Sequence, residues 1–234
     1  MNRLVQERRI ASAQAGDVPS LCLPALQGLS IDHPDSIPDR QVSPRRRLRA
    51  ARRALSASQQ RTHAARAVAL LMREPLLRGA PHVALYRASD GELDPSLLLH
   101  QTWPAGRRWY LPVLHPYLAG RLWFVGYQPD RQMRPNRFGI LEPMCRGRHL
   151  CPAKNLNLVF LPLVGFDEHC NRIGMGGGFY DRSFAFLRQR RCWRRPLLVG
   201  LAHECQRLDR IEPKPWDLPL NAVVTERRIY WRST

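Results

Sequence analysis

A chain of 234 residues that is 44% hydrophobic can enclose the core of one domain or of two small ones. No apolar run approaches the roughly 18 residues of a membrane span. The N-terminus has no basic stretch leading into an apolar one, so a cytoplasmic protein without a membrane partner is expected. The formal charge of +18 rests almost wholly on arginine, since Lys154 and Lys214 are the only lysines. Coding bias explains part of that choice; its physical consequence is a field that draws anions.

Residues 1–43 carry prolines, few aromatics and no sustained periodicity, the composition of a poorly ordered extension. A single domain is expected over 44–234. It opens on a helix from Arg45 to Leu55, with six arginines in the nine residues Arg45 to Arg53. Ser56-x-x-Gln59 is a capping box, and Ala64, Ala67, Val68 and Leu71 follow at helical spacing. Strands are expected at His82 to Tyr86, Arg108 to Leu111 and Leu122 to Tyr127, with a helix from Pro95 to Trp103. Leu156 to Leu163 reads as a buried strand, Gly178 to Arg190 as a helix, and Leu197 to Ala202 and Ala222 to Thr225 as the last strands. This alternation makes the protein α/β, with a mainly parallel sheet covered by helices on both faces.

The six cysteines show neither C-x-x-C spacing nor histidines at zinc spacing, and read as free thiols. His63, His100, His115, His149, His169 and His203 adjoin no recognisable nucleophile motif, and read as structural or surface residues.

The most informative run is Arg172-Ile173-Gly174-Met175-Gly176-Gly177-Gly178-Phe179-Tyr180-Asp181-Arg182. Four glycines in five residues let a backbone approach a ligand closely and turn its N–H groups inward, which suits phosphate. Two arginines bracket the run, and Asp181 is a carboxylate suited to the Mg²⁺ that accompanies a nucleotide. A P-loop needs Lys and Ser or Thr after its last glycine, whereas Phe179 and Tyr180 follow here. A dinucleotide fingerprint needs its first glycine tight against the strand end, which this chain lacks.

Leu161-Pro162-Leu163-Val164-Gly165-Phe166-Asp167 followed by that glycine run closely resembles the 5-formyltetrahydrofolate cyclo-ligase family. Other landmarks keep the family order: Arg45-x-x-Leu48-Arg49, Gly91-Glu92-Leu93-Asp94, Tyr110-Leu111-Pro112-Val113 and Asn136-x-Phe138-Gly139-Ile140-x-Glu142-Pro143. Val199-Gly200-Leu201-Ala202, Asp217-Leu218-Pro219-Leu220 and Val223-Val224-Thr225 complete them, so the resemblance runs from about residue 44 to about 230. It implies a three-layer α/β/α fold like that of ribose-5-phosphate isomerase and CoA-transferase-like domains. It also implies ATP-dependent conversion of 5-formyltetrahydrofolate to 5,10-methenyltetrahydrofolate through a phosphorylated N5-formyl oxygen.

By the same resemblance, Arg172 and Tyr180 are catalytic. ATP falls to Arg45, Arg49, Arg172, Gly174, Met175, Gly176, Gly177, Gly178, Phe179 and Tyr180. Folate falls to Glu92, Phe138 and Tyr180, and Mg²⁺ to Asp181 and Asp217. The implied partners are ATP and a polyglutamylated folate, bound by a monomer that requires no nucleic acid. The chain departs from relatives at Arg45, often Lys; at Met175 and Gly177, where some carry basic residues; at Asn221, where many have a second acid; and at Arg87, often apolar. Two other readings compete: nucleic-acid binding through the Arg45–Arg53 stripe, and a related phosphate-ester enzyme, which would need a pocket Lys or carboxylate.

Overall fold

In the computed structural model, which describes residues 43–75, 79–103, 106–144, 149–190 and 195–233, the apolar runs become strands and the arginine-rich run a helix. The extension expected over 1–43 lies, except for Ser43, outside the described residues. Helices α1 (Pro44–Arg53) and α2 (Ala57–Arg73) come first. Strands β1 (His82–Ala84), β2 (Arg108–Leu114), β3 (Leu122–Gly126), β4 (Met133–Pro135), β5 (Leu141–Pro143) and β6 (Leu150–Cys151) follow. Then come β7 (Leu158–Pro162), β8 (Gly165–Phe166), β9 (Arg172–Ile173), helix α3 (Phe179–Ser183), β10 (Leu197–Leu201), β11 (Ala222–Val224) and β12 (Ile229–Trp231). Residues 41–234 form one compact unit.

Eight strands make the main sheet in the order β12-β11-β10-β7-β1-β2-β3-β6. The strands from β11 to β2 run parallel, as the alternation predicts. At the edges β12, β3 and β6 pair antiparallel. Two hairpins stand apart, β4–β5 and β8–β9.

Strand periodicity sorts β7 onto two faces. Leu158 and Phe160 join Val83, Leu111, Val199 and Ala222 beneath Ala67, Val68 and Leu71 of α2. Val159 and Leu161 join Ala84, Tyr110, Leu198 and Val223 on the other face, which Phe184 and Leu218 cover. Each Leu, Val or Phe among them, fully buried, contributes about 1.5–3 kcal/mol.

Helix α2 follows its sequence signals closely. The Ser56 hydroxyl accepts from the Gln59 N–H, the Gln59 side chain accepts from the Ser56 N–H, and the four apolar residues at helical spacing are the buried ones. Two expectations are corrected. Pro95 to Trp103 forms only a 3₁₀ turn at Ser96–His100, because the Asp94 carboxylate binds Ser96 in a local turn. The helix expected from Gly178 to Arg190 is five α residues followed by a 3₁₀ turn at Ala185–Gln189. Phe184 breaks it where its ring packs into the core.

Candidate active site

Helix α1 shows the first departure from good helix chemistry. Its first turn has no acid and carries Arg45, Arg46 and Arg47, exposed at the positive end of the helix dipole. Such placement costs the helix a few tenths of a kcal/mol to about 1 kcal/mol per residue, and it makes that end attractive to anions. Arg45 reaches across to the glycine loop, donating from Nε to the Gly174 carbonyl at 3.0 Å.

Further along α1 the arginines turn the other way. Arg49 (2.8 Å), Arg52 (2.8 Å) and Arg53 all donate to the Asp90 carboxylate. Desolvation would raise the Asp90 pKa, but the three guanidinium hydrogen bonds outweigh it and hold it at about 2. Asp90 and Gly91 both adopt positive φ, at 54° and 74°, which Asp tolerates better than most residues and glycine adopts freely. A Cβ at Gly91 would lie 3.1 Å from the Arg52 carbonyl oxygen, so the turn packs on the helix backbone.

This turn delivers Glu92. Its carboxylate accepts from the Ser89 N–H at 3.1 Å and lies 3.6 Å from the fully buried Arg52. Burial raises its pKa against the opposing charge of Arg52. Tyr86 and Tyr180 share its surroundings. Burial raises both phenols, and the Glu92 charge raises them further, so both stay protonated. Arg52 therefore ties α1, the Asp90–Glu92 turn and the end of β7, where it also donates to the Leu163 carbonyl at 3.1 Å.

The glycine loop forms the opposite wall. Gly176 (φ 98°) and Gly178 (φ 60°) require glycine, while Met175 is exposed at the tip. With only five α residues behind it, α3 offers little dipole; the phosphate-binding capacity lies in the loop N–H groups and neighbouring arginines. Arg182 braces the loop by donating to the Gly177 and Gly120 carbonyls. Phe138 stands exposed at the tip of the β4–β5 hairpin, edge-on to Phe179 at 5.8 Å. Asn136 shapes that tip, its Oδ1 accepting from Phe138 and Ile140 and its Nδ2 donating to Glu142. Tyr180 stacks on Phe184.

Arg172 and Asp181 form a pair 2.5 Å apart, and Arg172 also donates to the Leu218 carbonyl. The Leu218 N–H returns a bond to the same Asp181 Oδ1 at 3.1 Å. The Asp217–Leu218 segment is thus fastened to α3. Asp217 itself accepts from the Lys214 N–H at 2.9 Å.

The fold therefore brings Arg45, Gly174–Gly178, Phe179 and Phe138 to one place. Glu92 with Tyr180, and Arg172 with Asp181, make two further sets on the same elements. Arg49 is drawn onto Asp90 instead of facing the loop directly. Asn221 exchanges bonds with the Leu198 backbone, its Oδ1 accepting and its N–H donating, each at 2.8 Å. Three of the six stripe arginines face Asp90 and one is fully buried, so the stripe is not the open row that nucleic-acid binding requires. Arg52, Asp90 and Tyr86 were not singled out from the sequence. The available signal was the i, i+4 pair Leu48 and Arg52, which are the buried residues of α1.

The sequence model of the 5-formyltetrahydrofolate cyclo-ligase family matches residues 39–226. The chain belongs to this family. It is 42% identical over 183 residues to the 5-formyltetrahydrofolate cyclo-ligase of Escherichia coli K12, covering 78% of this chain and 98% of that one. The Haemophilus influenzae 5-formyltetrahydrofolate cyclo-ligase is 41% identical over 143 residues, covering 61% of this chain and 74% of that one. Among solved structures, the Aquifex aeolicus 5,10-methenyltetrahydrofolate synthetase shares the fold, with a TM-score of 0.66 at 24% identity over 82% of this chain and 94% of that one. The family reaction is the ATP-dependent conversion of 5-formyltetrahydrofolate to 5,10-methenyltetrahydrofolate.

Proposed function

We propose that this cyclo-ligase converts 5-formyltetrahydrofolate to 5,10-methenyltetrahydrofolate, with ATP giving ADP and phosphate, between the first turn of α1 and the glycine loop. The observation that carries the reading is the Arg45–Gly174 bond, which sets a cationic helix end against a backbone loop of the kind that receives phosphates.

The chemical obstacle is a leaving group. N10 of the folate attacks the N5-formyl carbon, but the oxygen departs poorly as hydroxide. Phosphorylating that oxygen lets it depart as phosphate. The protein's task is therefore alignment, charge neutralisation and exclusion of water. Loop N–H groups at Gly174 to Phe179 receive the phosphates, with Arg45 on one side and Arg172 near the transferring group. Arg49, oriented by Asp90, extends the cationic surface by one turn of α1. Glu92 accepts from the pterin N–H groups, the protonated Tyr180 hydroxyl donates to the folate, and the exposed Phe138 ring covers it.

The carboxylates fit the hard oxygen donors that Mg²⁺ takes, usually one or two alongside phosphate oxygens. Among the described residues, both Asp181 bonds fall on Oδ1, which leaves Oδ2 for a cation. Asp217 adjoins it through Leu218. Mg²⁺ bound there would neutralise phosphate charge, and Arg172 keeps the Asp181 carboxylate in position. The surplus of basic charge suits a polyglutamylated folate, and the reading is of a cytoplasmic monomer.

The direct test mixes purified protein, Mg-ATP and 5-formyltetrahydrofolate and follows methenyl absorbance. Folded protein giving no ATP-dependent signal would sink this reading.

A further inference from the structure

His63 and His203 are 140 residues apart in the chain, so no spacing motif joins them, yet their Nδ1 atoms lie 3.0 Å apart. Glu226 completes the group, with Oε1 at 3.6 Å from His63 Nδ1. All three ligand atoms lie within 4.8 Å of one another, the only such group of His, Cys, Asp and Glu among the described residues. His63 projects from α2. His203 follows the end of β10, and Glu226 follows the end of the neighbouring parallel strand β11. Carboxyl ends of parallel strands are where open α/β sheets place ligands.

We infer that His63, His203 and Glu226 form a binding site for a borderline-soft divalent cation, Zn²⁺ above all, separate from the carboxylates proposed for Mg²⁺. Two imidazoles and a carboxylate select zinc, cobalt or nickel over Mg²⁺. At zinc–ligand distances of about 2.0–2.1 Å, tetrahedral geometry separates ligand atoms by about 3.3 Å. Two of the three observed separations, 3.0 and 3.6 Å, bracket that spacing before any adjustment, and the third lies within 4.8 Å. Three protein ligands leave a fourth position for water.

The surroundings favour the ion. His203 is fully buried, and burial together with His63 lowers its pKa to about 4, so it is neutral, the form that binds metal. Its Nε2 is buried without a hydrogen-bond partner among the described residues. Arg52 also acts on His203 and opposes positive charge, but the Asp90 carboxylate pairs it at 2.8 Å. The Glu204 N–H holds Glu226 Oε2 at 3.0 Å, leaving Oε1 toward His63. In the metal-free molecule one ring proton lies between the two Nδ1 atoms. On binding it moves to Nε2 of its own ring, and no oxidant or reductant is involved.

The test uses the full chain, stripped with a chelator and titrated calorimetrically with Zn²⁺ in excess Mg²⁺, and with Co²⁺ read by visible absorption. One Zn²⁺ per chain, tetrahedral Co²⁺ bands and a higher thermal midpoint are expected. His63→Ala and Glu226→Gln should each weaken Zn²⁺ by about 100-fold or more, since even outer-shell changes cost 10–100-fold. Cys205→Ser, which alters an exposed thiol on the adjoining turn, should bind as the parent does. X-ray absorption of the parent zinc form needs no variant to fold, and should show two imidazoles without sulfur. No zinc uptake, a sulfur-containing first shell, or unchanged affinity in folded His63→Ala and Glu226→Gln overturns the site.

Discussion

Replacing Asp90 with Asn removes one charge from beneath three arginines while keeping the turn, since Asn also tolerates the positive φ of 54°. The folded-state pKa of Asp90 is lowered from 3.8 to about 2, and only Arg52 among its three partners is fully buried, so solvent screening at Arg49 and Arg53 takes part of the effect. A shift of that size corresponds to at most about 2 kcal/mol at pH 7. Because the folded value lies below the unfolded one, this stabilisation is complete above about pH 5, falls to roughly half by pH 3 and is nearly gone by pH 2. Urea unfolding of both proteins from pH 7 to pH 3 isolates the term, because other titrating groups cancel in the difference. A variant within about 0.5 kcal/mol of the parent at pH 7, or a deficit that does not shrink in acid, would refute the arginine-clamp argument.

Asp181→Asn should abolish most turnover while leaving the fold intact, by removing the charge proposed for Mg²⁺; retained activity with unchanged Mg²⁺ dependence counts against it. Glu92→Gln should weaken 5-formyltetrahydrofolate binding roughly ten- to hundred-fold, the value of a charged hydrogen bond, measured by calorimetry without ATP. Arg45→Ala should raise the KM for ATP roughly tenfold by removing one charged donor, with folate affinity nearly unchanged; the opposite pattern would show that the two ligand walls are exchanged. Removing residues 1–43 should leave turnover close to that of the full chain, and a folded truncation without activity would assign the extension a function.

The central sheet was legible because its strands carry unmixed apolar runs. Leu158 to Pro162, for example, is buried on both faces and has no competing helical period. The edges were not. Strands β6, β8 and β9 have two residues each, too short for any period to register. The β8–β9 hairpin fills the polar gap before the glycines, and Asp167 at its turn accepts from the backbones of His169, Asn171 and Ile211. A carboxylate satisfying three backbone donors looks, in the sequence, like any loop aspartate.

The site divides along the same line between local and non-local information. The glycine loop was legible because positive φ at Gly176 and Gly178 is a demand of the local chain, met by residue type alone. The arrangement of the arginines was not. The six in α1 are identical in the sequence, and only the approach of the Asp90 turn sends Arg49, Arg52 and Arg53 inward while Arg45 is left to reach Gly174. Helical phase gives the physical reason. Arg49, Arg52 and Arg53 are related by i, i+3 and i+4 and so share a face, and an acid packed against that face sets their direction. Arg45 lies one turn before Arg49, beyond the carboxylate's reach. Its guanidinium, bonded through Nε to the Gly174 carbonyl, therefore faces the wall where ATP is proposed to bind. The same acid that stabilises the helix thereby divides one cationic run into an anchored half and a half available for anions.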